Sequence, residues 1–197
     1  MDKEHIVLLV VGRTGSGKSS LIKKLCEKNP GLKSLCSYTT RPKRSESDDD
    51  HIFVSTEEYF RAKENGEIAI DGKIAGNYYY STIEQLYNSD LYTINPEALD
   101  RLLALHLPDI RFVVVYISCP DEVREERAMK RGDDKKKYRV RDFSEKQEFR
   151  KFVSEEKWDY VINNIDFPKS YSVFRWISVV EGLWKQIEVR NGEMLNE

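Results

Sequence analysis

The stretch Ile6-Val7-Leu8-Leu9-Val10-Val11, followed at once by Gly12-Arg13-Thr14-Gly15-Ser16-Gly17-Lys18-Ser19, decides the fold class. The apolar run is short, continuous and rich in β-branched residues, so it reads as a strand buried on both faces in a parallel sheet. The residues after it match G-x-x-x-x-G-K-[ST], and a helical pattern runs from Ser19 to Lys28. Strand, loop and helix in that order are the context the motif needs. Its glycines let the backbone curl until successive N–H groups face one concavity. The helix behind it adds the positive end of its dipole. Lys18 brings a mobile positive charge for the β and γ phosphates, and Ser19 a hydroxyl for Mg²⁺. Gly12, Arg13, Thr14, Gly15, Ser16, Gly17, Lys18, Ser19 and Ser20 therefore form a candidate ATP-binding segment.

Outward from this loop, Phe112 to Ile117 repeats the buried-strand character, and Leu91 to Ile94 and Tyr160 to Ile162 are weaker examples. Helical patterns at Pro96–Leu105, Pro120–Arg131 and Ser144–Lys157 separate them. The alternation predicts a three-layer α/β fold with a central parallel sheet. Residues 36 to 82 differ. Ser37–Arg41, His51–Ser55, Glu67–Ile70 and Asn77–Ser81 are short strand-like pieces, with a capping box at Ser55-Thr56-Glu57-Glu58 opening a helix to Asn65. They predict a small second sheet beside the main one. Residues 132 to 140, rich in Gly, Asp and Lys, read as a mobile loop. The tail from Lys169 reads as one packed helix face followed by a polar end from Arg190.

The chain has 197 residues and a formal net charge of −2, which fits about one domain with a full core and no polybasic character. A nucleic-acid role for Lys135 to Arg141 is disfavoured by the flanking Asp133, Asp134 and Asp142. Cys26, Cys36 and Cys119 lack the paired spacings of a zinc site or disulfide framework. The longest apolar run is far below a membrane span. A cytoplasmic location without membrane or nucleic-acid partners is the expectation, and a homodimer is compatible with the sequence.

The phosphate loop does not say where the phosphoryl group goes. The N-K-x-D motif of a GTPase is absent. Arginines cluster instead in the second half, at Arg124, Arg127, Arg131, Arg139 and Arg141. Fixed guanidiniums stabilise the charge spread over a transferring phosphoryl group, and a closing lid excludes water. Arg131 and Arg141 are the candidates for that task. In the first half, Arg41 and Arg44 lie three apart near a strand end and can clamp a dianionic phosphate.

These motifs, in this order, resemble the guanylate kinase family: G-R-T-G-S-G-K-S-S-L, S-Y-T-T-R-P-K-R, H-I-F-V-S, G-N-Y-Y-Y-S-T, then R-G and V-I-N-N, over about residues 5 to 165. The resemblance implies a P-loop kinase fold with a core (1–35, 83–130 and 142–197), an acceptor-binding insert (36–82) and a mobile lid (about 131–141). It implies ATP and GMP as substrates with Mg²⁺. By alignment, Ser37, Arg41, Arg44 and Tyr79 fall at acceptor-binding positions, and Ser81 at a base-contacting one. Lys18, Arg131 and Arg141 fall at donor-phosphate and transfer positions, and Asn163 near the adenine site.

Several positions depart from the family pattern. A tyrosine becomes His51 within the acceptor site, and a glycine becomes Tyr80. The guanine-reading glutamate aligns with Ile70, and an L-D-I-D strand end with Tyr92-Thr93-Ile94-Asn95. Guanine's N–H donors lose an acceptor at Ile70, which costs about 1–3 kcal/mol if they stay unpaired. Glu67 and Asp71 share the opposite strand face, so either would need a one-residue bulge to substitute. The expected activity is thus phosphoryl transfer from ATP to a nucleoside monophosphate, GMP first, with altered base choice. The alternatives are a phosphokinase on an acceptor such as ribose 1,5-bisphosphate, to whose family His51-Ile52, Ser55 and Asn95 are similar, and a non-catalytic module binding phosphorylated partners.

Overall fold

The computed structural model describes residues 4–43, 46, 48–49, 51–74 and 76–194. Its elements in the first half are β1 (His5–Val11), α1 (Lys18–Lys28), β2 (Tyr38–Thr39), β3 (Ile52–Phe53), α2 (Thr56–Glu64), β4 (Ile68–Ile74), β5 (Asn77–Thr82) and α3 (Ile83–Tyr87). The second half holds β6 (Leu91–Thr93), α4 (Pro96–Leu103), β7 (Ile110–Ser118), α5 (Asp121–Arg131), α6 (Lys135–Glu155), β8 (Tyr160–Asn163), α7 (Phe167–Val180) and α8 (Leu183–Met194).

β1 is buried on both faces because its side chains feed two cores. Val7, Leu9 and Val11 point into a cluster with Leu99 and Leu102 of α4 and Phe149 and Phe152 of α6. Leu8 and Val10 point the other way, onto Leu21, Ile22 and Leu25 of α1 and Phe174 and Ile177 of α7. The period of two along a strand thus makes a three-layer sandwich from one uninterrupted apolar run. The sheet is all parallel, as the sequence predicts, and its order is β6-β1-β7-β8.

The second sheet, ordered β3-β2-β5-β4, is mixed: β2 and β3 are parallel, and the other neighbours antiparallel. Its core is aromatic. Tyr59 of α2 stacks on Tyr78 with centroids 4.0 Å apart, and Tyr38 stacks on Tyr80 at 4.9 Å. Tyr80, which replaces a family glycine, is therefore a packing residue. A bulge does lie between Ile68 and Ile70, but it turns both Ala69 and Ile70 into the first core. Asp71 is held on the other side, accepting from Tyr59 Oη at 2.7 Å and Lys63 Nζ at 2.8 Å.

Two expectations are corrected. Residues 132–140 are a loop only as far as Asp134: α6 starts at Lys135, capped by Asp134, whose carboxylate accepts from the Lys137 amide at 2.8 Å. Its first turns bury only Tyr138, so no apolar period marked them. The tail is not one helix but two, α7 and α8, broken at Gly182, whose φ of +90° suits glycine. The break lets Gln186 reach β1, where its side chain pairs with both the N–H and the carbonyl of Ile6, at 2.7 and 3.2 Å. The same amide and Arg190 engage Asp90, which is fully buried. Among the described residues no helix is long and apolar enough to cross a membrane.

Candidate active site

The site begins where β1 ends. Gly15 and Gly17 have φ of +77° and +93°, a backbone region that L side chains rarely adopt. A Cβ on Gly17 would also lie 2.3 Å from Asn164 Nδ2, so this turn is closed to other residues. Gly17 caps α1, whose first turn carries no acidic residue, leaving its positive end open to an anion. Lys18 folds back over the loop, donating to the Gly12 carbonyl and, at 3.2 Å, to the Arg13 carbonyl. Desolvation lowers its pKa to about 8. Glu145 opposes that shift, while Arg141, Arg124 and Arg131 reinforce it. Of the two predicted transfer arginines, Arg141 is linked to the loop through Glu145, whose other carboxylate oxygen accepts from the Thr14 amide. Ser19 and Ser20 are exposed on the first turn of α1, and Ser16 is buried beneath the loop.

The loop is fastened from below by charge. Arg13 pairs with Asp121 at 3.0 Å and Asp142 at 2.8 Å. Arg124, 1% exposed, pairs with the same two carboxylates and donates to the Thr14 carbonyl at 3.1 Å. A buried guanidinium is tolerated only with such a set of partners. Arg13 thus has its side chain committed to α5 and α6, with only its backbone lining the loop. Arg131, at the end of α5, pairs with Asp133, and Arg141 on α6 donates to Glu145 Oε1 at 2.8 Å. Both arginines are exposed, at 61% and 69%.

The acceptor candidates sit on the second sheet. Ser37 Oγ and His51 Nδ1 share a hydrogen bond of 3.0 Å, and the His51 ring meets the Tyr79 ring edge-on at 5.4 Å. Arg41 is almost buried, bonded to Asp48 at 2.8 Å and lying over the Phe53 ring at 5.1 Å. Arg44 lies outside the described residues. Ser81 is fully buried and accepts from Tyr92 Oη at 3.2 Å. Ile70 stands opposite Ser81 in the ladder, 7% exposed, among apolar neighbours. Asn95 caps α4, its side chain accepting from the Ala98 amide at 2.9 Å.

Asn163 ends β8 with its side chain exposed. The asparagine that meets the loop is the next one. Asn164, fully buried, donates to the Ser16 carbonyl at 2.7 Å. Alternation after the buried Ile162 was the available signal for it. Glu145 was also missed. It accepts from the Thr14 amide at 2.6 Å, a contact across 131 residues that no local pattern announces.

Comparison with known proteins agrees with this geometry. The family model described as guanylate kinase matches residues 4–177. Guanylate kinase of Helicobacter pylori (strain J99) is 30% identical over alignments covering 99% of this chain and 96% of that protein. Guanylate kinase of Caldanaerobacter subterraneus is 27% identical, covering 91% and 89%. The crystal structure of guanylate kinase from Anaplasma phagocytophilum superposes with a TM-score of 0.61 and 25% identity, covering 96% of this chain and 97% of that one. The phosphate loop, the parallel sheet behind it and these matches lead to one conclusion: the chain belongs to the guanylate kinase family of phosphotransferases.

Proposed function

We propose that this chain transfers the γ-phosphoryl group of Mg-ATP to the phosphate of a nucleoside monophosphate, with GMP the first candidate and base choice relaxed. The observation that carries the transfer is the phosphate loop itself, with Gly15 and Gly17 at positive φ, Gly17 capping α1, Lys18 folded over it, and Arg141 held at its mouth through Glu145. The backbone of residues 12–19 and Lys18 bind the donor phosphates. Ser19 would hold Mg²⁺; its single exposed hydroxyl suits an ion that keeps most of its ligands as phosphate oxygens and water. The ion neutralises charge on the β and γ oxygens when bound. Arg41, Arg44, Ser37, His51 and Tyr79 hold the acceptor phosphate, with Ser81 on the base side. Arg131 and Arg141 approach with the start of α6 as a lid and stabilise the transferring group. The acceptor oxygen is already anionic, so orientation and charge supply the catalysis and no general base is required. Asn163, exposed at the end of β8, serves the adenine side in this reading. Relaxed base choice is supported by Ile70, which offers no acceptor to guanine, and by Asp71, which is committed to Tyr59 and Lys63.

The test is ADP formation from Mg-ATP against GMP, dGMP, AMP, CMP, UMP, dTMP and ribose 1,5-bisphosphate. Turnover with a monophosphate, lost in Lys18→Ala, is expected. Turnover surviving Lys18→Ala would remove the loop from the mechanism. Selectivity for GMP above a hundred-fold would refute relaxed base choice.

A further inference from the structure

Glu145 occupies the mouth of the phosphate loop with the chemistry of a phosphate. One carboxylate oxygen accepts from the Thr14 amide at 2.6 Å, and the other accepts from Arg141 Nε at 2.8 Å. The side chain is only 16% exposed, and its charge is felt by Lys18. A backbone amide of an anion-binding loop, a lysine and a guanidinium are the partners a terminal phosphate would seek. The contact is not an accident of a floating side chain. Glu145 lies on α6, one turn from Arg141, and that turn is tied to the loop through Asp142, which accepts from Arg13 at 2.8 Å.

We propose that Glu145 is a resident anion of the donor site, which the terminal phosphate of an incoming nucleoside triphosphate displaces and which returns when only the diphosphate remains. This rests on the reading of residues 12–19 as the ATP site. Displacement has two effects in one movement. It clears the Thr14 amide, and it releases Arg141 from a carboxylate so that the guanidinium can engage the triphosphate. A diphosphate that leaves the terminal position vacant does not compete with the carboxylate there. Glu145 therefore weakens triphosphate binding in the resting enzyme and hastens the return to that state after transfer. It is a positioning residue, acting through Arg141 and the loop, and takes no part in bond making.

The experiment is calorimetric titration of Mg-ATP and Mg-ADP, without acceptor, into the native chain, Glu145→Gln and Glu145→Ala. Circular dichroism and Tm establish that each variant is folded. Both variants are expected to bind ATP about ten-fold more tightly, the scale of one charge-assisted hydrogen bond. ADP affinity should change by less than two-fold, so the ATP-to-ADP preference rises. A merely structural glutamate would shift both nucleotides together. If the native chain binds ATP and both folded variants bind it equally or more weakly, the proposal fails while the ATP site stands. If no form binds ATP, the site reading fails and the proposal with it.

Discussion

Asn164 Nδ2 donates to the Ser16 carbonyl at 2.7 Å, bolting the end of β8 to the phosphate loop across 148 residues. The same Nδ2 lies 2.3 Å from where a Cβ on Gly17 would sit, so the glycine and the asparagine fit as a pair. Asn164→Ala leaves a buried carbonyl unsatisfied, at a cost of about 1–3 kcal/mol. At roughly 2–4 °C per kcal/mol for a chain of this size, Tm should fall by several degrees. Asn164→Asp should fall further, because a carboxylate there faces a carbonyl oxygen. Thermal unfolding with and without ATP checks the ranking, and a native Tm in both variants would contradict it.

Arg41 is nearly buried and bonded to Asp48 at 2.8 Å, so its guanidinium is fixed before any acceptor arrives. Arg41→Ala should raise the acceptor KM about ten-fold or more and leave the ATP KM within two-fold. Arg41→Lys should restore little, since a point charge lacks the planar fork. Steady-state kinetics with each substrate varied in turn decides it, and an equal rise in both KM values would point to a general folding defect.

Ile70 belongs to the buried apolar cluster that also holds Leu35, Ala69, Leu86 and Tyr92, and stands opposite Ser81. Ile70→Glu buries a carboxylate in that cluster and should lower Tm by several degrees. If the position reads the base, saturating GMP should raise the Tm of the variant more than that of the native chain, since guanine's N–H groups then find an acceptor. An equal or smaller GMP-induced shift would place the base elsewhere.

The charge lock under the loop sets an acid limit. Arg124's hydrogen bond is the main cause holding the Asp121 carboxyl below the ordinary range; partial burial opposes it, and Arg13 and Lys146 assist. A lowered folded pKa stabilises above the unfolded value and loses that stabilisation as pH falls through the folded one. Asp121→Asn should therefore melt below the native chain at pH 7, with the gap closing below about pH 4. Tm measured from pH 7 to pH 3 tests this, and a gap independent of pH would mean the loss is one of packing.

The fold was legible wherever burial was heavy. The run from Ile6 to Val11 feeds both cores, so it had to be uniformly apolar, and the loop after it needs glycines at positive φ. The start of α6 was illegible by periodicity because it rests on the protein through Tyr138 and ion pairs, although Asp134 as a cap was there to be read. The break at Gly182 was likewise marked by a glycine inside an apolar helical pattern. On the site, Lys18 and Arg41 were legible as candidates because the motifs that carry them are local. Glu145 could not be assigned in the same way, since its partner, the Thr14 amide, lies 131 residues away, and Asn164 was signalled only by alternation along its strand.

Gln186 meets both backbone groups of Ile6, 180 residues away, so the last helix completes the first strand. At roughly 5–20 residues per second of synthesis, that strand waits about 9–36 s for its partner. During this interval β1, an uninterrupted apolar run, has part of its hydrogen bonding unmet. The hydrogen bonding of Ile6 is therefore completed only once α8 has been made and has folded back onto β1.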